Sequence, residues 1–353
     1  MPVRWGDIPA DALAVLRRGA VIPAHPLALT EARELDRRRQ RALSRYYIDA
    51  GAGGLAVGVH TTQFAIRERG LYEPVLRTAA EATAEAAQKP MILIAGLCGK
   101  TEQARREAAI ARDLGFHAGL LSLAAMANAN EDELIAHCQT LAEEIPLVGF
   151  YLQRAVGGCD LPASFWRRFA AIENVIAIKM APFNRYRTID VVRGVAEAGA
   201  EDRVTLYTGN DDHILLDLLT RYRMNRNGDE VFLRIVGGLL GQWSVWTKAA
   251  VDILEQAHKA AREPVIPAEL LTLDAQLTDA NGALFDVRND FAGCIAGCHE
   301  ILRRQGLLEN LVLIDPAEGL GPGQNAEIDR VVSAYPHLTD DAFVAKNLEK
   351  WLS

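Results

Sequence analysis

The chain has only five cysteines in 353 residues, scattered at Cys98, Cys138, Cys159, Cys294 and Cys298. An odd, dispersed set in a long chain excludes a disulfide framework and points to a reducing compartment. No apolar run reaches the roughly 20 residues needed to span a bilayer. The opening MPVRWGDIPADAL has no charged segment followed by an apolar core, so no secretory signal is expected. Positive charge is also short, with 38 Lys plus Arg against 46 Asp plus Glu and a net charge of −8. A general nucleic-acid binder would need a basic face that this balance does not supply. Fourteen prolines against 28 glycines indicate many tight turns and few rigid linkers. The expectation is a soluble cytoplasmic protein with neither a nucleic-acid nor a membrane partner.

What is present is a series of short apolar runs. They are Ala20–Ala24, Gly54–Val59, Met91–Leu97, Ala118–Leu123, Leu147–Leu152, Val175–Lys179, Val204–Thr208 and Leu233–Gly237. They lack polar alternation, which suits parallel strands covered on both faces. Amphipathic segments separate them. Thr30, followed by Glu31 and Glu34, reads as a helix start, and Gly51 as its stop. Thr101 and Gly115 bracket another, and Asn130 with Glu133 forms a capping-box pattern. The segment Asn225–Glu230 reads as a turn or small hairpin before the eighth strand.

Eight βα units in series fit a closed (β/α)8 TIM barrel better than an open doubly wound sheet. The first strand ends in Pro23-Ala24-His25-Pro26, without the glycine-rich phosphate loop of the open fold. Residues 19–262 then make the barrel, near the usual size of about 250 residues. Residues 1–18 read as a leader. Residues 263–353 read as a C-terminal helical extension with helices over 267–280, 286–305, 324–334 and 340–352, which could cover an oligomer surface.

Active sites of such barrels lie at the C-terminal strand ends. The polar residues expected there are His25, His60, Thr61, Thr62, Gln63, Cys98, Ser122, Tyr151, Gln153, Lys179, Thr208, Asn210, Asp211 and Asp212. Lys179 ends an otherwise apolar strand, where lost solvation favours the free amine, a nucleophile toward carbonyls. A lysine that reaches solvent is the plainer alternative. Tyr151 ends the preceding strand, 28 residues earlier, and could move a proton for that amine. Thr61-Thr62 offers hydroxyls and successive N–H groups for a carboxylate. His25 and His60 with Asp211 leave a metal-dependent aldolase open. Cys294 and Cys298, one turn from His299, could be a metal or redox pair, but read more simply as small apolar residues of a packed helix. Trp243 and Trp246 read as core rather than as a stacking surface for an aromatic substrate.

With these residues in order, the chain resembles the dihydrodipicolinate synthase/N-acetylneuraminate lyase family of class I Schiff-base aldolases. The resemblance covers about residues 20–262. Gly58-Val59-His60-Thr61-Thr62-Gln63 is similar to the family's Gly-Thr-Thr-Gly-Glu motif. Tyr151–Leu161 is similar to its tyrosine segment, Val175–Lys179 to its lysine strand, and Gly209-Asn210-Asp211-Asp212 to its Gly-Asp-Asp. The resemblance implies an imine between Lys179 and a pyruvate-type 2-oxo acid, Tyr151 as proton relay, and Thr61 and Thr62 on the carboxylate. His60, His25, Gln153, Asn210 and Asp211 are expected to bind the substrate. No metal or cofactor is expected, and a homo-oligomer (dimer or tetramer) is.

Departures from the family pattern accompany these matches. Ala124-Ala125-Met126 replaces the tyrosine pair that extends the relay between subunits. Val156 stands where the synthases carry an arginine for the second substrate, and Arg154 where they carry a proline. A lyase other than the lysine-biosynthesis synthase is therefore expected. The alternatives are a dehydratase of a sugar-derived 2-oxo acid by the same imine, and a non-catalytic binding or regulatory protein.

Overall fold

A computed structural model describes residues 2–353. Among these, eight parallel strands form a closed barrel: β1 (Val21–Pro23), β2 (Gly54–Val57), β3 (Ile92–Leu97), β4 (Ala118–Leu121), β5 (Leu147–Leu152), β6 (Val175–Ala181), β7 (Thr205–Thr208) and the eighth strand, labelled β9 (Asp229–Leu240). An extra strand, β8 (Arg221–Arg226), turns at Asn227-Gly228 and pairs antiparallel with the first half of β9. Its exposed face alternates with a covered one, as a hairpin outside the barrel should. The parallel order is β1-β9-β7-β6-β5-β4-β3-β2, and a bridge between Ala24 and Ala56 closes the ring. The fold is thus a (β/α)8 barrel followed by C-terminal helices.

Strand alternation produces two cores. Ile22, Ala56, Ile94, Leu120, Val148 and Leu239 belong to the cluster that fills the barrel. Leu55, Leu93, Leu121, Ile178 and Ile235 belong to the cluster between strands and helices. Burial on both sides is why the strand sequences carry no polar alternation.

The helices of the chain are α1 (Ala10–Arg18), α2 (Arg37–Ala50), α3 (Tyr72–Ala86), α4 (Thr101–Asp113), α5 (Glu131–Ala142), α6 (Ala163–Ala171), α7 (Arg185–Ala198), α8 (Ile214–Leu219) and α9 (Thr247–Ala260). After these come α10 (Glu269–Leu284), α11 (Cys294–Arg304), α12 (Gln324–Ala334) and α13 (Asp341–Leu352). The Asn130/Glu133 capping box forms, each side chain accepting the other residue's N–H at 3.0 and 2.8 Å. Gly51 ends α2 at φ 98°, a conformation that a side chain would strain.

Three local expectations are corrected. The helix expected from Thr30 begins at Arg37, because Leu27–Leu29 are pulled into the core and Asp36 caps the helix through the Arg39 N–H at 3.0 Å. Residues 2–18, read as a leader, carry a helix that packs on the barrel: α1 places Leu16 in the barrel-filling cluster, and the Tyr207 hydroxyl donates to the Leu16 carbonyl at 2.8 Å. The helix expected from Asp286 starts at Cys294. Asp286, Asp290 and Phe291 take left-handed conformations that break it.

The C-terminal segment is integrated with the barrel. Its last helix, α13, packs on α2, with Trp351 and Tyr46 ring centroids 5.3 Å apart. The Tyr46 hydroxyl donates to Asp340 at 2.7 Å. Gln63, just past the threonine pair, accepts the Ile314 N–H at 2.7 Å.

The β2 mouth is also pinned from below. Arg67 donates twice to Glu107, both at 2.9 Å, and also to the carbonyls of Gly58 and Gly96. Both side chains of the pair are under one-tenth exposed. Removing one member leaves the other charge buried without a counter-ion. Glu107→Ala is expected to cost about 3–5 kcal/mol, read as a lowered midpoint in urea denaturation. An unchanged midpoint would show that the pair does not hold this end of the barrel together.

Candidate active site

Lys179 lies in β6 with its side chain toward the barrel axis, while its neighbours Ile178 and Met180 pack toward the helices. It is 7% exposed, and its Nζ sits 4.4 Å from the centre of the Phe150 ring. Burial lowers its pKa from the ordinary 10.5 to about 8, against an opposing pull from Asp211. The free amine is therefore accessible near neutral pH, as a nucleophile toward a carbonyl requires.

Space for this side chain comes from Gly209, just past β7. A Cβ there would lie 2.5 Å from Lys179 Cε and 2.9 Å from Ala181 Cβ. Gly209→Ala must therefore move the lysine. A displacement of about 1 Å can cost about 10²-fold in rate, and that is the expected loss in kcat/KM, with the circular-dichroism melt retained. Wild-type kcat/KM in this variant would show that the close approach does not position the amine.

A cavity of about 70 Å³ opens beside Lys179. His60, Thr61, Gln153, Lys179 and Asp211 are its polar wall. His60 is kept neutral, its pKa lowered to about 4 by burial and by Lys179. The Thr61 hydroxyl donates to the Ala24 carbonyl at 2.7 Å. The backbone N–H groups of His60 and Thr61 open a 3-10 turn over His60–Thr62 and have no acceptor among the described residues. Asp211 follows β7 by three residues. Enclosure raises its carboxyl to about 7, Lys179 lowers it and Asp212 raises it. Its Oδ1 has no hydrogen-bond partner.

Other expected site residues do not reach this cavity. Tyr151 is directed to the opposite side of β5. Side chains alternate along a strand, so Phe150 takes the inward place beside Lys179, and Tyr151 stacks on Trp166 with centroids 5.2 Å apart. Its phenol oxygen accepts the Leu161 N–H at 3.2 Å. His25 is buried against α2. Its Nε2 meets the Ser44 hydroxyl at 2.9 Å, and its Nδ1 meets the Pro26 carbonyl at 2.8 Å and the Gln40 amide at 3.0 Å. It is satisfied by the fold and free for neither substrate nor metal. Thr62 turns inward, donating to the His25 carbonyl at 2.6 Å and accepting the Gly58 and Val59 N–H groups. It shapes the loop that presents Thr61. Asn210 is fully buried and tied to Phe183, Thr188 and Asp217.

His25, His60 and Asp211 do not converge. Among the described residues no group of three or more His, Cys, Asp or Glu side chains is placed to hold a metal. Trp243 and Trp246 are core residues, 1% and 2% exposed. Cys298 is buried, whereas Cys294 lines the cavity.

Several lining residues were not anticipated. Phe150 was recoverable from strand phase, since only alternate residues of β5 can face the axis. Phe183, Phe285, Phe291 and Cys294 come from loops and from the C-terminal segment, and no local sequence signal ties those to the barrel mouth.

A closed parallel barrel with a desolvated lysine in the C-terminal half of its sixth strand has the architecture of the lysine Schiff-base aldolases. The profile of the Dihydrodipicolinate synthetase family matches residues 18–221, more than half of the chain, and the chain belongs to that family. The family is one of class I aldolases and lyases. Similar solved structures include dihydrodipicolinate synthase from Aquifex aeolicus, at 18% identity over 91% of this chain and 99% of that one, with a TM-score of 0.73. YagE, a prophage protein from E. coli K12 of the dihydrodipicolinic acid synthase family, was solved with pyruvate. It matches at 18% identity over 91% and 99% of the two chains, with a TM-score of 0.73. CdNal from Clostridium difficile, solved with mannosamine, matches at 15% over 90% and 99%, with a TM-score of 0.72. At these identities the likeness carries the fold. No curated protein matches the chain as a relative. Among the described residues no helix is long and apolar enough to cross a membrane.

Proposed function

We propose that the chain is a class I lyase whose Lys179 forms a Schiff base with a pyruvate-type 2-oxo acid and makes or breaks a carbon–carbon bond. The observation that carries this reading is the enclosed amine of Lys179, with its lowered pKa, at the mouth of the barrel. The neutral amine attacks the keto carbon, and loss of water gives a protonated imine. That imine accepts the electron pair of the bond between the β and γ carbons of the bound acid, leaving an enamine and releasing the γ carbon as an aldehyde once its hydroxyl proton is lost. The reverse order joins them.

Each polar wall residue has a part in this scheme. The free N–H groups of His60 and Thr61 receive the substrate carboxylate, supplying positive dipole in an acidic protein. Neutral His60 and Gln153 donate to substrate oxygens. Tyr151 is excluded by its direction, so the proton must travel on another group. Asp211 is the cavity carboxyl with an unpartnered oxygen and a proton affinity matched to neutral pH. We assign it the proton released or taken up at the substrate hydroxyl.

The lysine-biosynthesis synthase is disfavoured as an identity, because Val156 presents no positive charge to a second acidic substrate. A dehydratase would share the imine and is separated from a lyase by its products, since only cleavage releases an aldehyde. The test is borohydride reduction in the presence of pyruvate, followed by intact mass and peptide mapping. One reduced pyruvyl group on Lys179 is expected. No adduct across a panel of 2-oxo acids would overturn the reading.

A further inference from the structure

Four phenylalanines line the cavity that holds Lys179. Phe150 comes from β5, Phe183 follows β6, and Phe285 and Phe291 come from the C-terminal segment, with Val156 beside them. Phe183 and Phe291 meet edge to face, with centroids 5.8 Å apart. Both are held at positive φ, 49° and 66°, a region that is costly for bulky residues. Such strain persists where the surroundings impose it, and it concentrates at ligand sites. Among the described residues Lys179 is the one cationic side chain lining the cavity. Arg154, close by in sequence, points to solvent and pairs with Asp160.

From these features we infer that the carbonyl partner released from, or condensed with, the Lys179-bound 2-oxo acid is an uncharged aryl aldehyde. The inference rests on the Schiff-base reading above. An aryl ring offers edge and face contacts to the paired phenylalanines. An anionic aldehyde would meet no counter-charge, because the Lys179 nitrogen is neutral in the enamine that it joins or leaves. A polyhydroxy aldehyde would leave several hydroxyls against a phenylalanine wall, and buried hydroxyls without partners are costly. In the cleavage direction, the imine-bound acid carries a hydroxyl and the aryl group on its γ carbon. The hydroxyl proton passes to a base, the β–γ bond breaks, its electron pair forms the enamine, and the aryl aldehyde departs. The enamine takes up a proton at the β carbon, and hydrolysis of the resulting imine frees pyruvate. Atoms and electrons balance without an oxidant or reductant.

The test pairs turnover with binding. Purified full-length protein is given pyruvate with benzaldehyde, glyceraldehyde or succinic semialdehyde, and aldol formation is followed by chromatography. Benzaldehyde is expected to exceed the other two in kcat/KM by at least about 10-fold, within the range that a hydrophobic pocket can supply. Phe183→Ser and Phe291→Ser are expected to erase that preference while borohydride trapping of pyruvate on Lys179 persists. Val156→Arg, at the half-buried rim, is expected to shift the preference toward succinic semialdehyde. Saturation-transfer NMR with unreactive benzyl alcohol, competed by glycerol, reads the same wall without chemistry. It serves where a serine variant fails to fold or where no turnover is seen. Trapping of pyruvate together with a preference for glyceraldehyde or succinic semialdehyde overturns the inference and leaves the lyase reading standing. Absence of benzyl alcohol binding also overturns the inference. Binding of benzyl alcohol without any Lys179 adduct overturns the lyase reading and supports the aryl wall.

Discussion

Lys179→Ala is expected to abolish both the borohydride-trapped pyruvate adduct and turnover, with the fold intact. The side chain sits in the C-terminal half of β6, and its amine makes no hydrogen bond or ion pair that organises neighbouring elements. Its removal empties a cavity that already exists, and it relieves the cost of holding an ammonium in a desolvated place. The thermal midpoint should therefore stay level or rise. The loss of activity should be complete, because the imine supplies the electron sink for the scheme and, among the described residues, no second lysine lines the cavity. Wild-type turnover in the alanine variant would remove Schiff-base chemistry from this protein. A collapsed melt with no soluble protein would instead show that the amine has a structural role that the contacts do not reveal.

Asp211→Asn is expected to lower kcat by about 10²- to 10⁴-fold, the usual contribution of a positioned acid or base. Asparagine keeps the shape and the ability to accept the Gln242 N–H, but it cannot carry the proton. The pH dependence separates this role from a positioning one. In the wild type, Asp211 raises the Lys179 pKa toward its ordinary value, and burial lowers it to about 8. With Asp211 neutralised, burial acts unopposed, so the Lys179 pKa falls further. The pH at which pyruvate trapping is half-maximal must then move down, even as turnover drops. The charged or titratable groups facing Asp211 are Lys179, Asp212, Cys294 and Cys298. The two thiols are pushed by burial to about 12 or beyond, so near neutral pH the profile belongs to Asp211 and Lys179. An unshifted trapping profile with unchanged kcat would show that the carboxyl takes no part.

Much of the molecule is legible before folding is considered. The eight apolar runs lie on the eight barrel strands, because a strand buried on both faces must be apolar throughout. Lys179 stands out for the same reason: a charge at the end of such a run has no solvated face to occupy. The capping box at Asn130 and the stop at Gly51 are local chemistry and form as read. Thr30 is also a good local cap, but its helix does not start there. Burial of Leu27–Leu29 outweighs a capping interaction of about 1 kcal/mol.

The direction of side chains was less legible. Tyr151 and Phe150 are adjacent aromatic residues, and one residue of strand phase decides which faces Lys179. The pairing of β5 with β6, including its irregularity after Leu147, sets that phase, and no local signal reports it. His25, Thr62 and Asn210 likewise stand where site residues were expected. Each has a buried partner close enough to satisfy it within the fold, and a buried polar group takes such a partner because leaving it unpaired is costly.

The sequence by itself determined the barrel and the family, and it marked Lys179 as the charge within a buried strand. All three depend on strong patterns within single strands or on short motifs whose spacing survives without coordinates. Only the tertiary structure decided which polar groups share the cavity with that lysine. The reason is the reach of the contacts. Asp211 lies 32 positions after Lys179, and Phe285 and Phe291 come from beyond the barrel altogether. What brings them together is closure of the sheet and docking of the C-terminal helices over its mouth, contacts between residues far apart in the chain that no local periodicity encodes.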